Sequence, residues 1–455
     1  MIAGLLPEIL VLTGAVAGLL AGMFARRDRQ WIVAWICAGF LVAAAATTAV
    51  AAGGGMAGGG MAGGGMAGGS MAVEGYTVDA LTIATRLAVV AATLVVLAMA
   101  AGWARGLRRE AELYVLILLS SLGAILLAGA ADLLLLVAAY LLASIPSYAL
   151  AGFAKDANGT EAALKYYLMG AFLGVLMLAG VTLLYGVAGT TAYRQTGGAG
   201  VAAVLLMAGP LFKAGAVPAH FWVPDVAQGA SRPVAAFVTT VPKLGAFAAL
   251  FRLTTEVVDV RLAVALVAAA TMTLGNLAAF YQDNVRRLLG YSTISQAGYL
   301  LLPVAAAGGT AMAEPALLFY LAAYAVTNLG AFAVVVAVGG DAVADYAGLA
   351  RGRPWLAASL VVCLLGLVGT PPTAVFAGKV LAMSAAWSGG LAWLAVLAAV
   401  NTVASLFYYL RWILPLYRAG GAPGGSAGRV AWVAYLTAAT SLVFGTTLSI
   451  YYALS

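Results

Sequence analysis

The sequence predicts an all-α, polytopic integral membrane protein, and its composition, its apolar runs and its loop charges all favour that class. Of its 455 residues, 64% are hydrophobic and 9% are charged, and the mean hydropathy is +1.03. Apolar runs of roughly 18–28 residues recur from end to end, and each can cross a hydrocarbon core of about 30 Å as a helix. No segment between these runs is long enough to form a soluble domain.

Dividing the apolar runs gives about fourteen predicted transmembrane helices. They cover residues 4–24, 31–52, 78–103, 111–130, 132–153, 161–188, 201–221, 234–254, 259–281, 288–306, 314–338, 355–386, 390–417 and 430–453. The first run follows no basic residue and precedes no A-x-A site, so we expect a retained helix rather than a cleaved signal peptide.

The distribution of basic residues among the loops predicts the orientation of the chain. Each loop takes the number of the span before it. Sixteen of the 23 Lys and Arg residues fall on odd-numbered loops or the span ends beside them, and only Arg194, Arg252 and Arg261 fall on even-numbered ones. The side that carries more basic residues is cytoplasmic, so we expect both termini outside. The net charge of +7 therefore reflects topology, and we expect no nucleic-acid partner.

A Gly/Met-rich insert at 53–71 falls in the first outside loop. Glycine at this density behaves as a flexible coil, and we favour a tolerated loop. Its evenly spaced methionines leave Cu(I) binding as an alternative, because thioethers select that ion. The four methionines are Met56, Met61, Met66 and Met71.

Several kinds of chemistry have no support in the sequence. One histidine and two cysteines, Cys37 and Cys363, give no metal, iron–sulfur or disulfide spacing. No nucleotide-binding fingerprint occurs in a strand-to-helix context. We therefore expect no cofactor in this chain and a role in transport rather than bond chemistry.

Three lysines lie within otherwise apolar spans: Lys213, Lys243 and Lys379. A charged side chain at bilayer depth costs about 2.5–3.5 kcal/mol on insertion scales, so such residues are mostly functional. Burial disfavours the charged form of lysine, which allows it to take up and release a proton near neutral pH. The three lysines therefore predict an ion path. Arg86, near the start of span three, is expected instead to extend to the interface.

Two of these lysines accompany predicted helix breaks. Pro218 and Pro224 fall at the end of span seven, near His220 and Asp225, and Pro371 with Pro372 interrupts span twelve. Proline removes a backbone donor and kinks or breaks a helix, and irregular backbone at membrane depth must be buried or line a wet cavity. We favour a broken helix with Lys213 and His220 on one path, over a helix that ends at the interface. Broken helices of opposite direction are typical of inverted-repeat transporters.

Neutral polar residues inside other spans could hold a water chain beside the lysines. We expect Tyr299, Tyr324 and Asn328 to support the path, together with Asp225 near the first break. Individually, such groups more often form helix–helix hydrogen bonds.

Four segments carry a resemblance to a known family: 163–190, 212–252, 286–300 and 369–382. They are similar to the antiporter-like membrane subunits of respiratory complex I, and the block HFWVPD within the second segment is the most specific part. The resemblance covers nearly the whole chain except the Gly/Met-rich insert. Lys243, a lysine directly after Val-Pro, resembles the N type of subunit of NADH:quinone oxidoreductase. A lysine rather than a glutamate at position 379 resembles the N and L types rather than the M type.

This resemblance implies a fold and an activity. It implies two inverted five-helix repeats, so we expect helices 1–3 at 1–110, the first repeat at 111–256, the second at 257–420 and a last helix at 421–455. It also implies proton translocation along Lys213, His220, Lys243 and Lys379. Quinone reduction, with NADH, FMN and iron–sulfur clusters, would take place in partner subunits of a hetero-oligomer in the bacterial inner membrane.

One position departs from the family pattern. The family usually has a glutamate in span five, and aligning Ser144, Pro146 and Tyr148 places Leu141 there. Three explanations stay open: a neighbouring subunit supplies the acid, Lys213 titrates alone, or this copy pumps weakly. The alternatives to the complex I function are a subunit of a multi-subunit Na⁺/H⁺ antiporter, and a structural complex I subunit that has lost its own path.

Overall fold

The computed structural model describes residues 2–57, 71–73, 75–197, 200–419 and 428–454. In these residues the chain forms seventeen α-helices, a few short 3-10 turns and one antiparallel hairpin, β1 Met71–Val73 with β2 Tyr76–Val78. The helices are α1 Leu6–Phe24, α2 Trp31–Ala57, α3 Ala80–Ala104, α4 Glu110–Gly129, α5 Leu133–Ala151, α6 Ala157–Ala188, α7 Val201–Ala214, α8 Trp222–Gly229, α9 Arg232–Glu256, α10 Arg261–Ala279, α11 Val285–Ala305, α12 Ala313–Val338, α13 Leu349–Gly352, α14 Pro354–Val368, α15 Ala374–Ser388, α16 Ala392–Leu416 and α17 Gly428–Leu454. Most of the Gly/Met-rich insert, including Met61 and Met66, lies outside the described residues.

The helices confirm the all-α, polytopic membrane class. Within the described ranges, eleven helices are long and apolar enough to cross a membrane, judged by length and composition. Three shorter apolar helices, α7, α14 and α15, accompany them. The count of fourteen spans stays a prediction.

Both predicted helix breaks are present. α7 ends at Ala214, where Gly215 adopts a left-handed φ of 74°, and α8 begins at Trp222. α14 ends at Val368, followed by Gly369 with φ 89°, and α15 begins at Ala374. Glycine at this position ends a helix without a Cβ clash, so the first break begins earlier than the prolines alone predicted.

Helix α9 is the buried axis of the bundle. All of its described residues from Pro233 to Thr254 are buried, and it packs against helices from both halves of the chain, including α3, α4, α7, α11 and α12. Lys243 lies midway along it, and therefore far from either end of the helix.

Two matching corners lie at opposite ends of α9. In the first, the Asp132 side chain caps α5 and its backbone bridges to Ala192, just after α6. In the second, Asn284 caps α11 and bridges to Ala342, just after α12. The turn after Ala192 contacts α9 near the C-terminal end of that helix, beside Arg252. The corner after α12 contacts the first residue of α9, because Arg232 pairs with Asp341 at 3.1 Å.

The expected position of Arg86 at the membrane interface is wrong. Its side chain lies within the N-terminal helices, 1% exposed, and its Nη2 atom is 2.6 Å from Oε1 of Glu8 on α1. The Tyr76 hydroxyl donates to the same oxygen at 2.7 Å. A buried charge is tolerated when it is paired, and Glu8 provides that pair from 78 positions earlier in the sequence.

Candidate functional site

Lys213, in the last turn of α7, is fully buried against α5 and α6. Its Nζ donates to the Ala143 carbonyl at 3.0 Å and to the Tyr166 hydroxyl at 3.0 Å. The Ala143 carbonyl also accepts from Ser120 and Ser147, each at 2.8 Å. A neutral carbonyl and hydroxyl hydrogen-bond the ammonium but carry no formal negative charge to offset its cost of desolvation.

Lys243, on α9, lies against the end of α7. A Cβ at Gly215 would be 2.9 Å from both its Nζ and Cγ2 of Val223, and Gly215 has a φ of 74°, so this position favours glycine. The Nζ atom is buried and has no hydrogen-bond partner within the described residues. Buried polar groups are nearly always hydrogen-bonded to protein or water, so Lys243 is a group that requires water.

Two stacked aromatic rings lie close to both Lys213 and Lys243. The Tyr166 and Trp222 rings are 4.2 Å apart at 17°. Lys213 Nζ is 5.3 Å from the Tyr166 centroid, and Lys243 Nζ is 6.0 Å from the Trp222 centroid. Trp222 is held by its Nε1, which donates to the Phe212 carbonyl of α7 at 3.1 Å. The two lysines thus contact the same aromatic pair, Lys213 at the Tyr166 hydroxyl and Lys243 near the Trp222 ring.

Lys379, in the first turns of α15, uses the second helix break. Its Nζ donates to the Val368 carbonyl in the last turn of α14 at 2.9 Å and lies 3.9 Å from the Tyr299 ring centroid. The last four carbonyls of a helix lack partners within it and carry partial negative charge. The break therefore supplies a neutral but electronegative site for the ammonium.

Hydrogen bonds connect α9, which carries Lys243, with α11 and α12 of the second half. The Tyr324 hydroxyl donates to the Thr239 carbonyl at 2.9 Å and contacts the Thr293 hydroxyl at 3.3 Å. Asn328 donates to Thr240, one turn from Lys243, at 2.8 Å. Its Oδ1 has no hydrogen-bond partner in the part of the chain that the structure describes.

Gln296 and Tyr320, which the sequence did not single out, extend this contact towards Lys379. The Tyr320 hydroxyl donates to Gln296 Oε1 at 2.6 Å, and Gln296 Nε2 donates to the Leu367 carbonyl at 2.7 Å. Leu367 directly precedes Val368, the acceptor for Lys379. A buried glutamine within an apolar span was the only sequence signal, and it resembles an ordinary helix–helix hydrogen bond.

Two of the predicted residues lie apart from the lysines. His220 is in the first break and packs against Phe221, with Nδ1 unpaired among the described residues. Asp225 forms ion pairs with Arg287 at 2.7 Å and Lys165 at 3.0 Å. Neither has a hydrogen bond to a buried lysine, and Asp225 belongs instead to a partly exposed ion-pair cluster.

The three buried lysines, Lys213, Lys243 and Lys379, have no carboxylate partner in the described part of the chain. Leu141, which the sequence predicts at the position of the family glutamate, is 46% exposed on the outer face of α5, whereas the neighbouring Tyr140 is buried and donates to the Gly170 carbonyl. An acid at position 141 would therefore face lipid or a neighbouring subunit rather than the interior.

The described residues contain no group of three or more His, Cys, Asp or Glu side chains that could hold a metal. What the arrangement offers is three buried lysines, two of them beside helix breaks, with hydroxyls, amides and carbonyls packed around them. This combination defines a membrane translocator of small cations, with protons as the species that lysines can carry.

Comparisons with known proteins agree with this class. Residues 130–405 match the family model described as NADH:quinone oxidoreductase/Mrp antiporter, TM. NADH-quinone oxidoreductase subunit N 1 of Streptomyces griseus is 49% identical, covering 97% of this chain and 95% of that protein. Subunit N of Mycobacterium sp. (strain JLS) is 51% identical over 96% and 95%.

Solved structures show the same fold. A chain of respiratory complex I from Thermus thermophilus with bound aureothin has a TM-score of 0.84 and 32% identity, covering 97% of both chains. A chain of the Mrp complex from Dietzia has a TM-score of 0.86 at 22% identity, over 99% of this chain and 96% of that one. The chain belongs to the NADH:quinone oxidoreductase/Mrp antiporter membrane family.

Proposed function

We propose that this chain is a proton-translocating membrane subunit of an NADH:quinone oxidoreductase, corresponding to subunit N. The observation that carries the proposal is the row of three buried lysines, two of them at helix breaks, in a chain about half identical to subunit N proteins. The chain itself has no redox role in this proposal. Quinone reduction by NADH, with FMN and iron–sulfur clusters, takes place in partner subunits of the hetero-oligomeric complex.

The proposed path runs through Lys213, Lys243 and Lys379. No hydrogen bond joins Lys213 to Lys243 within the described residues, so water must reach the α7 break for a proton to pass between them. His220, within that break, is the group we propose connects the path there. Between Lys243 and Lys379, protons pass along water held by the polar groups of α11 and α12. Tyr324 and Asn328 face α9 in this segment, and Tyr299 covers Lys379.

The two matching corners support inverted repeats. In each corner, an Asp or Asn side chain caps a helix and the backbone of the same residue bridges to the segment that follows the next helix. The two corners lie at opposite ends of α9. Such a pair is expected when two homologous halves have opposite orientation in the membrane. We therefore propose the division into helices 1–3 at 1–110, repeats at 111–256 and 257–420, and a final helix at 421–455.

The arginine distribution supports an orientation with both termini outside, in the bacterial inner membrane. Reporter fusions in the loops near Arg27, Arg108, Lys155, Arg286 and Arg351 should all report a cytoplasmic position. An external signal at any of these sites would mean that a span before it has been wrongly counted.

Tyr320→Phe tests the segment between Lys243 and Lys379. The change removes only the hydroxyl that donates to Gln296, so it should lower proton uptake while quinone reduction continues, and by less than replacing a lysine. Its matched control is Tyr346→Phe, because Tyr346 is equally buried but bonds to the Gly340 carbonyl away from the lysines. Equal proton uptake in the two variants would exclude Gln296 and Tyr320 from the path.

A Na⁺/H⁺ antiporter subunit is the second candidate, because the family model covers both classes. An affinity tag on this chain distinguishes them. The proposal predicts that NADH:quinone oxidoreductase activity copurifies with the tagged chain and is absent from membranes of a deletion strain. Copurification of a redox-inactive complex that exchanges Na⁺ for H⁺ would contradict the proposal and support the antiporter.

A further inference from the structure

A second, chemically distinct site lies between α2, α3 and α17, away from the lysine path. A cavity of about 420 Å³ opens there. Its walls are mostly small and apolar residues of α2 and α3, including Ala34, Ala38, Ala98 and Ala101. Small side chains leave an apolar groove between the helices.

Two arginines mark one end of this groove. Arg105, which follows α3, and Arg429, in the first turn of α17, both line the cavity, and both are exposed. Neither forms an ion pair with any residue that the structure describes. No Asp or Glu lines the cavity, and the adjacent Glu110 accepts hydrogen bonds from Gly106 and Tyr114.

The neighbouring cavity provides a contrast. It adjoins the groove through Gly102 and Val430 and also carries two arginines, Arg232 and Arg286. Both of these already pair with Asp341, at 3.1 and 2.8 Å. The uncompensated positive charge therefore belongs to Arg105 and Arg429.

The groove has the depth of one leaflet. From Leu94 to Arg105 it follows eleven residues of α3, about 16 Å at 1.5 Å per residue, which is roughly half of a 30 Å hydrocarbon core. Trp31 and Trp35 of α2 line its edge and are themselves exposed. Tryptophan prefers the level where headgroups meet acyl chains.

We propose that this groove binds one anionic phospholipid, with an acyl chain between α2, α3 and α17 and the phosphate at Arg105 and Arg429. Basic sites between transmembrane helices on the arginine-rich side of a membrane attract anionic headgroups. The bidentate geometry of guanidinium suits a phosphate. The bound lipid would fill the space between the N-terminal helices and the last helix, and so join the two ends of the chain.

Counting the phospholipids that remain on the purified, assembled complex by native mass spectrometry tests this proposal. The double variant Arg105→Gln/Arg429→Gln should lose one anionic phospholipid per complex relative to the wild type. Arg418→Gln is the matched control, since Arg418 is also exposed and forms no ion pair among the described residues, but lies outside the groove. An unchanged count in the double variant, or an equal loss in the control, would overturn the proposal.

A second variant keeps both arginines. Ala98→Phe fills the groove with an apolar side chain at an exposed membrane position, so it should remove the same lipid without disturbing the charge.

Delipidated wild-type complex should regain the lipid from phosphatidylglycerol vesicles and not from phosphatidylcholine vesicles, whereas the Ala98→Phe complex should regain lipid from neither. Equal binding of both lipids would contradict the role of the arginines. A photo-crosslinker at position 98 that captures a polypeptide rather than lipid would show that another subunit fills the groove.

Discussion

Replacing Lys213 by methionine should remove most of the proton uptake that depends on this subunit and leave the complex assembled. Methionine has nearly the length and volume of lysine, so the packing against Tyr166 and Ala143 is kept. It cannot take up a proton, so the chain of titrating groups ends there. The measurement is the rate of acidification or alkalinisation in vesicles, divided by the rate of quinone reduction.

The stability of the Lys213→Met variant should not fall, because burying an ammonium group that only neutral groups contact costs free energy in the wild type. Lys155→Met is the control, since Lys155 is an exposed lysine that lies outside the path. If Lys213→Met lowers the yield of assembled complex as much as it lowers proton uptake, the lysine has a structural role instead.

Arg86→Met should have the opposite effect, a loss of stability with proton uptake per assembled complex unchanged. Removing one partner of a buried ion pair leaves an uncompensated charge and costs about 3–5 kcal/mol. Here that charge is Glu8, which is 5% exposed and would retain only the Tyr76 hydroxyl among its present partners. The measurement is the thermal inactivation temperature of the purified complex, together with its yield.

The double variant Glu8→Gln/Arg86→Met separates the pair from the packing. Glutamine keeps an acceptor for Tyr76 but carries no charge, so the double variant should recover a large part of the lost stability. An Arg86→Met complex as stable as the wild type would show that Glu8 is accommodated without its partner. A double variant no better than the single one would assign the loss to packing.

The difference between Lys213 and Arg86 shows what the sequence could predict. Both are basic residues inside an apolar run, and depth along the run was the only available guide. Depth placed Lys213, Lys243 and Lys379 correctly in the interior, where all three are buried, although Lys213 and Lys379 lie close to the helix breaks. It failed for Arg86, whose environment is set by Glu8, a residue 78 positions earlier on a different helix.

The helix breaks were predictable because proline acts locally on the backbone, although the first one begins earlier than predicted, at Gly215. The partners of the lysines were not. Tyr166, Trp222, Gln296 and Tyr320 are aromatic or amide residues of kinds that occur on any packed helix. Only the three-dimensional arrangement of α6, α8, α11 and α12 directs them towards the lysines. For the same reason the sequence grouped Asp225 with the path, although it pairs with Arg287 and Lys165.

The measurement that tests the central claim most directly is the number of protons translocated per electron in vesicles containing the assembled complex. It should be made for the wild type, Lys213→Met, Lys379→Met and the double variant, with subunit content checked in each preparation. The proposed path predicts that each single variant lowers the ratio and that the double variant lowers it no further, since the two lysines act in series. A wild-type ratio in all three variants, with assembly intact, would contradict a proton path through this chain and leave it a structural role.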